Sequence, residues 1–354
     1  MASRKQKGPV TGGVDTHKKT HHAAVVDQVG RVLGTEQFDA TEAGYRALLA
    51  WMRRFGDVVK IGVEGTGSYG AGLARYLTSA KVDLVEVDRP DRKARRRNGK
   101  SDPLDAISAA LAALSGRANG VPKARTGPVE AIRVLRVVRA GAVKARTAAL
   151  NELHGLIVTA PETLRAALRP LSAAKLVTHC AAFLADPTRL IDPEHATTAA
   201  LGALARRIQH LNAEIKQADK QLKNLLATTA PRLCAVRGVG PQVAGQMLVT
   251  AGDNPDRLRS EAAFAHLCGV APIPASSGNT ERHRLNRGGD RHANSALYML
   301  VLSRLAHDPR ARAYKERRTT QGKTNKEIIR CLKRYAAREV LTALQADFAA
   351  LNHA

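Results

Sequence analysis

Over roughly the first 115 residues, short apolar runs alternate with amphipathic stretches, and from about residue 129 onward apolar positions recur every three or four residues. Residues 9–15, 23–27 and 31–38 are apolar stretches separated by polar turns, including Gln28-Val29-Gly30, and predict three consecutive antiparallel strands. Thr41 precedes a helical stretch carrying Leu48, Leu49 and Met52, with Glu42 in its first turn. Residues 58–63 predict a buried strand, followed by Gly65-Thr66-Gly67 and a second helix over about 69–78. Residues 82–87 predict a fifth strand. Asp102-Pro103 then opens a helix running to about Leu114, with the proline early in the helix, where its missing N–H costs little.

Three antiparallel strands followed by alternating helices and strands is the layout of an RNase H-like α/β fold, expected here over 8–116. The middle, 129–229, carries no strand pattern and is expected to be a helical connector. In it Leu201, Leu204, Ile208, Leu211, Ile215, Ala218, Leu222 and Leu225 alternate spacings of three and four, the a/d seam of a coiled coil. An earlier helix over roughly 129–158 is apolar but less regular, and Pro161, Pro170, Pro187 and Pro193 punctuate the connection. The seam fits two helices packed within one chain and an intermolecular coiled coil equally well.

A mainly α-helical C-terminal domain is expected over 230–345. The stretch from Val236 to Pro241 resembles a helix-hairpin-helix turn, in which Gly238 and Gly240 would let backbone N–H groups approach a phosphate beside Arg237. Residues 274–290 form a polar, basic, glycine-rich tract flanked by helices, which reads as a functional loop presenting Arg282, Arg284 and Arg287.

Charge decides the class of partner. Fifty-six Lys and Arg against 31 Asp and Glu give a formal charge of +25. Such an excess repels itself in the folded state and points to a polyanion. It is spread over the chain, net +9 over 1–128, +6 over 129–229 and +10 over 230–354, so a basic tail on a neutral enzyme is excluded. With only 3% aromatic residues, a single-strand module built on stacking platforms is disfavoured. No apolar run approaches the ~20 residues of a membrane span, and no signal-peptide pattern opens the chain. Cys180, Cys234, Cys268 and Cys331 are far apart and read as buried reduced thiols of a cytoplasmic protein.

The chemistry concentrates in four carboxylates. Asp15 closes the first strand, Glu64 closes the fourth, and Asp102 and Asp105 share one face at the start of a helix. Singly, each reads as a turn residue, and Asp102 as a helix N-cap. Together, Asp15 and Glu64 on neighbouring strands beside that helix form an oxygen-rich cluster suited to Mg²⁺. Two such ions can stabilise the attacking and leaving oxygens of a phosphodiester displacement. His17, His21 and His22 have no cysteine partner, and metal ligation by them is not expected. Lys18 and the basic run containing Arg92, Lys93, Arg95, Arg96, Arg97 and Lys100, opposed only by Asp91, are candidate phosphate contacts.

Gly-Val-Asp15-Thr-His-Lys, Val-Glu64-Gly-Thr-Gly, Lys-Ser-Asp102-Pro-Leu-Asp105-Ala and the later Cys-Gly-Val-Ala-Pro with Ser-Ser277-Gly together resemble the insertion-sequence 110 family of transposases, which includes bridge-RNA-guided recombinases and is similar to the Piv DNA invertases. The resemblance implies a RuvC-like DEDD domain over 10–115 and a C-terminal transposase domain over 230–320. It implies that Asp15, Glu64, Asp102 and Asp105 bind Mg²⁺ and that a serine forms a covalent phosphoserine link to DNA. That serine falls on Ser277, with the adjacent Ser276 as second choice. The resemblance further implies a homo-oligomer, a dimer or dimer of dimers, in which one protomer's serine completes the other's acidic site. It also implies a structured noncoding RNA that pairs with donor and target DNA while the protein grips backbones.

The leading expectation is therefore an RNA-guided, Mg²⁺-dependent serine transposase acting on double-stranded DNA, cytoplasmic in a bacterium and nucleoid-associated when bound to DNA. The alternative is a RuvC-like junction-resolving endonuclease that uses water as nucleophile. A third reading, a non-catalytic nucleic-acid scaffold, leaves the four carboxylates without a purpose.

Overall fold

A computed structural model describes residues 8–87, 101–254, 258, 260–279 and 283–352. The chain divides into two compact units, the first comprising residues up to Gly127 with a short segment from Ala251, the second the remainder. The connector expected over 129–229 and the C-terminal region from 230 thus fall within one unit.

The first unit is built on a five-stranded sheet of order β3-β2-β1-β4-β5. Its strands are β1 (Pro9–Thr16), β2 (Thr20–Val26), β3 (Val32–Asp39), β4 (Asp57–Glu64) and β5 (Leu84–Val87). β1 pairs antiparallel with β2, and β2 with β3, while β1–β4 and β4–β5 are parallel. This mixed sheet is compatible with the expected RNase H-like layout. Helices α1 (Glu42–Arg53) and α2 (Ala71–Ser79) bury Leu48, Met52, Leu73 and Leu77 against Val10, Val14, Ile61 and Val63 on one sheet face. Thr41 caps α1 through the Gly44 amide, as its position before the apolar stretch predicts.

The opposite face is made of glycine. Side chains alternate along a strand, so Gly13 on β1 and Gly62 on β4 face away from Val14 and Val63. Helix α3 (Asp102–Leu114) lies directly on them with Ala106, Ala109, Ala110 and Ala113 buried. A Cβ on Gly62 would fall 2.6 Å from the Ala109 carbonyl oxygen, and one on Gly13 would fall 2.7 Å from the Ala110 Cα. Small residues on both partners let helix and sheet meet almost backbone to backbone. Asp253 accepts from the Arg125 and Gly127 amides at 3.2 and 3.0 Å, tying the segment from Ala251 into this unit.

The second unit is helical. Its long helices, α4 (Pro128–Thr159) and α7 (Pro193–Thr229), pack against each other within one chain, joined through α5 (Glu162–Leu168) and α6 (Ala173–Ala181). Arg139 of α4 donates to Asp219 of α7 at 2.6 Å. The buried stripe of α7 differs from the expected seam. Leu201, Ile208, Ile215, Ala218 and Leu222 are buried as expected, but Leu204, Leu211 and Leu225 are half-buried, and Ala205 and Leu226 are buried instead. Leu201, Ala205 and Ile208 share a core with Leu176, Val177 and Cys180 of α6. A helix covered from two sides needs a wider apolar stripe than a two-stranded seam.

The C-terminal part holds α8 (Pro231–Ala235), α9 (Pro241–Ala251), α10 (Glu261–Leu267), α11 (Arg291–His307), α12 (Pro309–Thr320) and α13 (Asn325–Asn352). Buried Asp347 of α13 accepts from the Arg232 and Leu233 amides at 3.0 and 2.9 Å, satisfying the exposed donors at the start of α8. The tract expected as a functional loop contains a short antiparallel ladder, β6 (Ile273–Pro274) with β7 (His283–Arg284). Gly269 and Gly289, both at positive φ, let the turn after α10 pass close to the backbone at 288–289. All four cysteines are free, but only Cys180 and Cys268 are buried; Cys234 and Cys331 are half-buried. Among the described residues no helix is long and apolar enough to cross a membrane.

Candidate metal centre and active site

The alternation that places Gly13 and Gly62 under α3 also aims the acids. Asp15 follows Gly13 by two residues and Glu64 follows Gly62 by two, so both side chains leave the sheet on the α3 face. The last β1–β4 pair is Val14 with Val63, which sets Asp15 beside Glu64 at the carboxyl ends of two parallel strands. Thr16 donates to the Glu64 carbonyl at 2.8 Å and holds the two strand ends together. The first turn of α3 supplies Asp102 and Asp105. Ser101 occupies the N-cap position, so Asp102 is the first helical residue rather than the cap.

His17 completes this cluster. Two residues beyond Asp15, it points the same way, and its amide bonds the Thr20 carbonyl at 3.1 Å across the β1–β2 turn. Its buried Nε2 lies 3.1 Å from Asp15 Oδ2 and 3.3 Å from Asp102 Oδ1, at ion-pair distance from both. One ligand atom each from Asp15, His17 and Asp102 lie within 4.8 Å of one another. His22, cross-strand partner of Asp15, reaches Asp102 Oδ2 at 3.6 Å. His21 leaves on the opposite face, where it is buried and stacked on Tyr45.

Burial pushes the Asp15 carboxyl above the usual carboxylate range; His17 opposes this, while the charges of Asp105 and Asp102 add to it. Buried Asp105 is thereby coupled to the same centre. Like charges crowded in a partly buried site are unfavourable unless a cation joins them. Two carboxylates on either side of an imidazole nitrogen, with Glu64 and Asp105 nearby, are a donor set that fits a divalent cation.

Lys18 is exposed in the turn after β1. Arg92, Lys93, Arg95, Arg96, Arg97, Lys100 and Arg282 are outside the described residues. Ser276 and Ser277 are exposed in the hairpin between β6 and β7, in the second unit, with Arg284 and Arg287 also exposed. Arg237 is exposed in the turn before α9, bonded to the His307 carbonyl at 3.1 Å. Gly238 has φ +83°, and a Cβ there would meet Leu300 and Arg304. Gly240 has open space around it at the start of α9.

Sequence reasoning missed two features. His17 has no cysteine partner, and its signal is the spacing of two from Asp15 that brings both to one cluster. Exposed Lys216, Lys220 and Lys223, spaced four and three apart on α7, line a cleft with Arg139 and Gln242. The regular spacing was visible, but the apolar seam of the same helix took precedence.

Comparison with known proteins agrees with this layout. Residues 12–160 match the IS110-type DEDD transposase family, described as "Transposase", and residues 230–316 match the "Transposase IS116/IS110/IS902 family". The chain belongs to the IS110 family of transposases. It is 28% identical over 130 residues to the "Insertion element IS110 uncharacterized 43.6 kDa protein" of Streptomyces coelicolor, covering 36% of this chain and 32% of that protein. It is 27% identical over 154 residues to the "Insertion element IS900 uncharacterized 42 kDa protein" of Mycobacterium paratuberculosis, covering 43% and 38%. A "Probable family 20 transposase" of Pseudomonas aeruginosa is 29% identical over 188 residues, covering 50% and 52%. The IS110-family chain thus spans about a third to a half of the curated relatives it matches. The first family match contains Asp15, Glu64, Asp102 and Asp105, and the second contains both hairpin serines.

Proposed function

We propose that this IS110-family chain is a Mg²⁺-dependent transposase that cuts and exchanges DNA strands through a covalent serine–DNA link. The observation that carries the reading is the convergence of Asp15, Asp102 and Asp105 on one centre, with Glu64 beside them by strand register. A divalent cation held there supplies positive charge against the phosphate undergoing displacement. Asp15, Glu64, Asp102 and Asp105 hold it, and His22 steadies Asp102 from the neighbouring strand.

The nucleophile in this reading is Ser277, with Ser276 second. Its hydroxyl oxygen forms the new bond to phosphorus as the bond to one deoxyribose oxygen breaks; the serine proton passes to solvent and the departing oxygen takes one up to leave as a free hydroxyl. A serine on an exposed hairpin is accessible to a strand laid across it, which supports the assignment. The cleft of Lys216, Lys220 and Lys223 and the overall charge of +25 supply a sequence-independent grip on nucleic-acid backbone. That division of labour suits guidance by a structured RNA and assembly as a homo-oligomer.

The test is a suicide DNA substrate incubated with the protein and Mg²⁺. A covalent adduct that disappears in Ser277→Ala supports the transposase, and loss in Ser276→Ala alone moves the nucleophile by one residue. Free 5′-phosphate ends without adduct would favour the second reading, a junction-resolving nuclease using water. Sequencing of copurifying RNA tests guidance, which fails if no structured species is recovered.

A further inference from the structure

We propose that His17 is a direct ligand of the divalent cation, making the centre a mixed nitrogen–oxygen site that binds Mn²⁺ more tightly than Mg²⁺. The proposal rests on the acidic centre being a cation site and adds to it a ligand of different chemistry.

The geometry is that of a coordination edge. Ligands about 2.1 Å from an octahedral ion stand about 3.0 Å apart along each edge. The His17 Nε2 separations, 3.1 Å to Asp15 Oδ2 and 3.3 Å to Asp102 Oδ1, lie close to that value. The buried Nε2 sits between two carboxylate oxygens at nearly equal distances, rather than against one of them. A cation taking the place of a proton there would meet the imidazole nitrogen and both carboxylates at once. The β1–β2 turn fixes the ring's backbone through the His17 amide to the Thr20 carbonyl. His22, 3.6 Å from the other oxygen of Asp102, orients that ligand as an outer partner.

Ligand type then sets selectivity. Carboxylates serve Mg²⁺ and Mn²⁺ alike, whereas imidazole nitrogen suits first-row transition ions and adds little for Mg²⁺. A site of carboxylates alone would separate the two ions weakly. One with His17 in the inner sphere separates them more.

The experiment is pulsed electron paramagnetic resonance of Mn²⁺ bound to the full chain, which detects directly coordinated ¹⁴N, alongside Mn²⁺ and Mg²⁺ titrations. The wild type and His22→Gln are expected to show ¹⁴N coupling, and His17→Gln to lose it. The Mn²⁺ affinity of His17→Gln should fall on the order of tenfold or more, with Mg²⁺ affinity changed far less. Bound Mn²⁺ without ¹⁴N coupling in the wild type overturns the proposal and leaves the acidic centre standing. So does a His17→Gln protein that binds Mn²⁺ as tightly as the wild type. Failure of Mn²⁺ to bind the wild type at all sinks the acidic centre and this proposal together. Because the wild-type spectrum decides first, poor folding of a variant does not rescue the idea.

Discussion

Gly13→Ala tests how the fold builds its centre, since it adds one carbon where α3 rests on β1. The new Cβ would lie 2.7 Å from the Ala110 Cα and closer still to the Ala106 oxygen and Ala110 nitrogen. Carbon pairs rest at about 3.5–4.0 Å, so α3 must retreat by about 1 Å. The obstacles are backbone atoms of a helix, which no rotamer change can clear. Overpacking of this kind costs about 1–3 kcal/mol, a fall in melting temperature of roughly 4–12 °C for a unit of this size. The same retreat carries Asp102 and Asp105 away from Asp15, and a misplacement of about 1 Å costs on the order of a hundredfold in rate. Gly12→Ala is the control. Its Cβ points to the other face, 2.6 Å from the Met52 sulfur, the far end of a flexible side chain. Thermal melting with a DNA strand-cleavage assay reads both effects. A Gly13→Ala protein that melts like the wild type and cleaves at full rate would refute this account of the centre.

Two further outcomes follow from burial. Asp15 has a raised carboxyl pKa in the folded state, so the fold holds its proton more tightly than the unfolded chain does. Its contribution to stability is therefore present at low pH and is lost as pH rises from roughly 3.9 through the raised folded value. Asp15→Asn should accordingly melt above the wild type at pH 7 without divalent cation, with the gap closing as pH falls, while cleavage is abolished; a lower melting point at pH 7 contradicts the burial argument. Leu222 is fully buried in the second unit, where α7 packs on α4 of the same chain. Leu222→Ala should cost about 2–5 kcal/mol in denaturant unfolding, whereas an intermolecular seam would show unchanged monomer stability and a loss of dimer by light scattering.

Much of the first unit was legible because short apolar runs bounded by polar turns are local features. Such runs marked all five strands, and Asp102-Pro103 placed the start of α3 at the observed residue. The acids were legible for the same reason, since strand ends and a helix start are local features. The place of His17 beside Asp15 and Asp102 is marked by its spacing of two from Asp15 and not by any cysteine partner. On α7 the three–four spacing marked a helix correctly, but its buried width depended on α6, a short element without a strong pattern. The ladder of β6 and β7 escaped notice because two residues per strand are too few for any period to register.

Local order along the chain therefore specified which segments are strands and helices and where the acids sit within them, and the composition set the strong net positive charge. Those properties arise from neighbours in sequence and from total charge. The distance at which α3 lies on the sheet, the meeting of Asp15, Asp102 and His17, and the covering of α7 from two sides came only with tertiary packing. Each depends on residues far apart in sequence approaching through positions such as Gly13 and Gly62, whose small size permits a contact but does not name its partner.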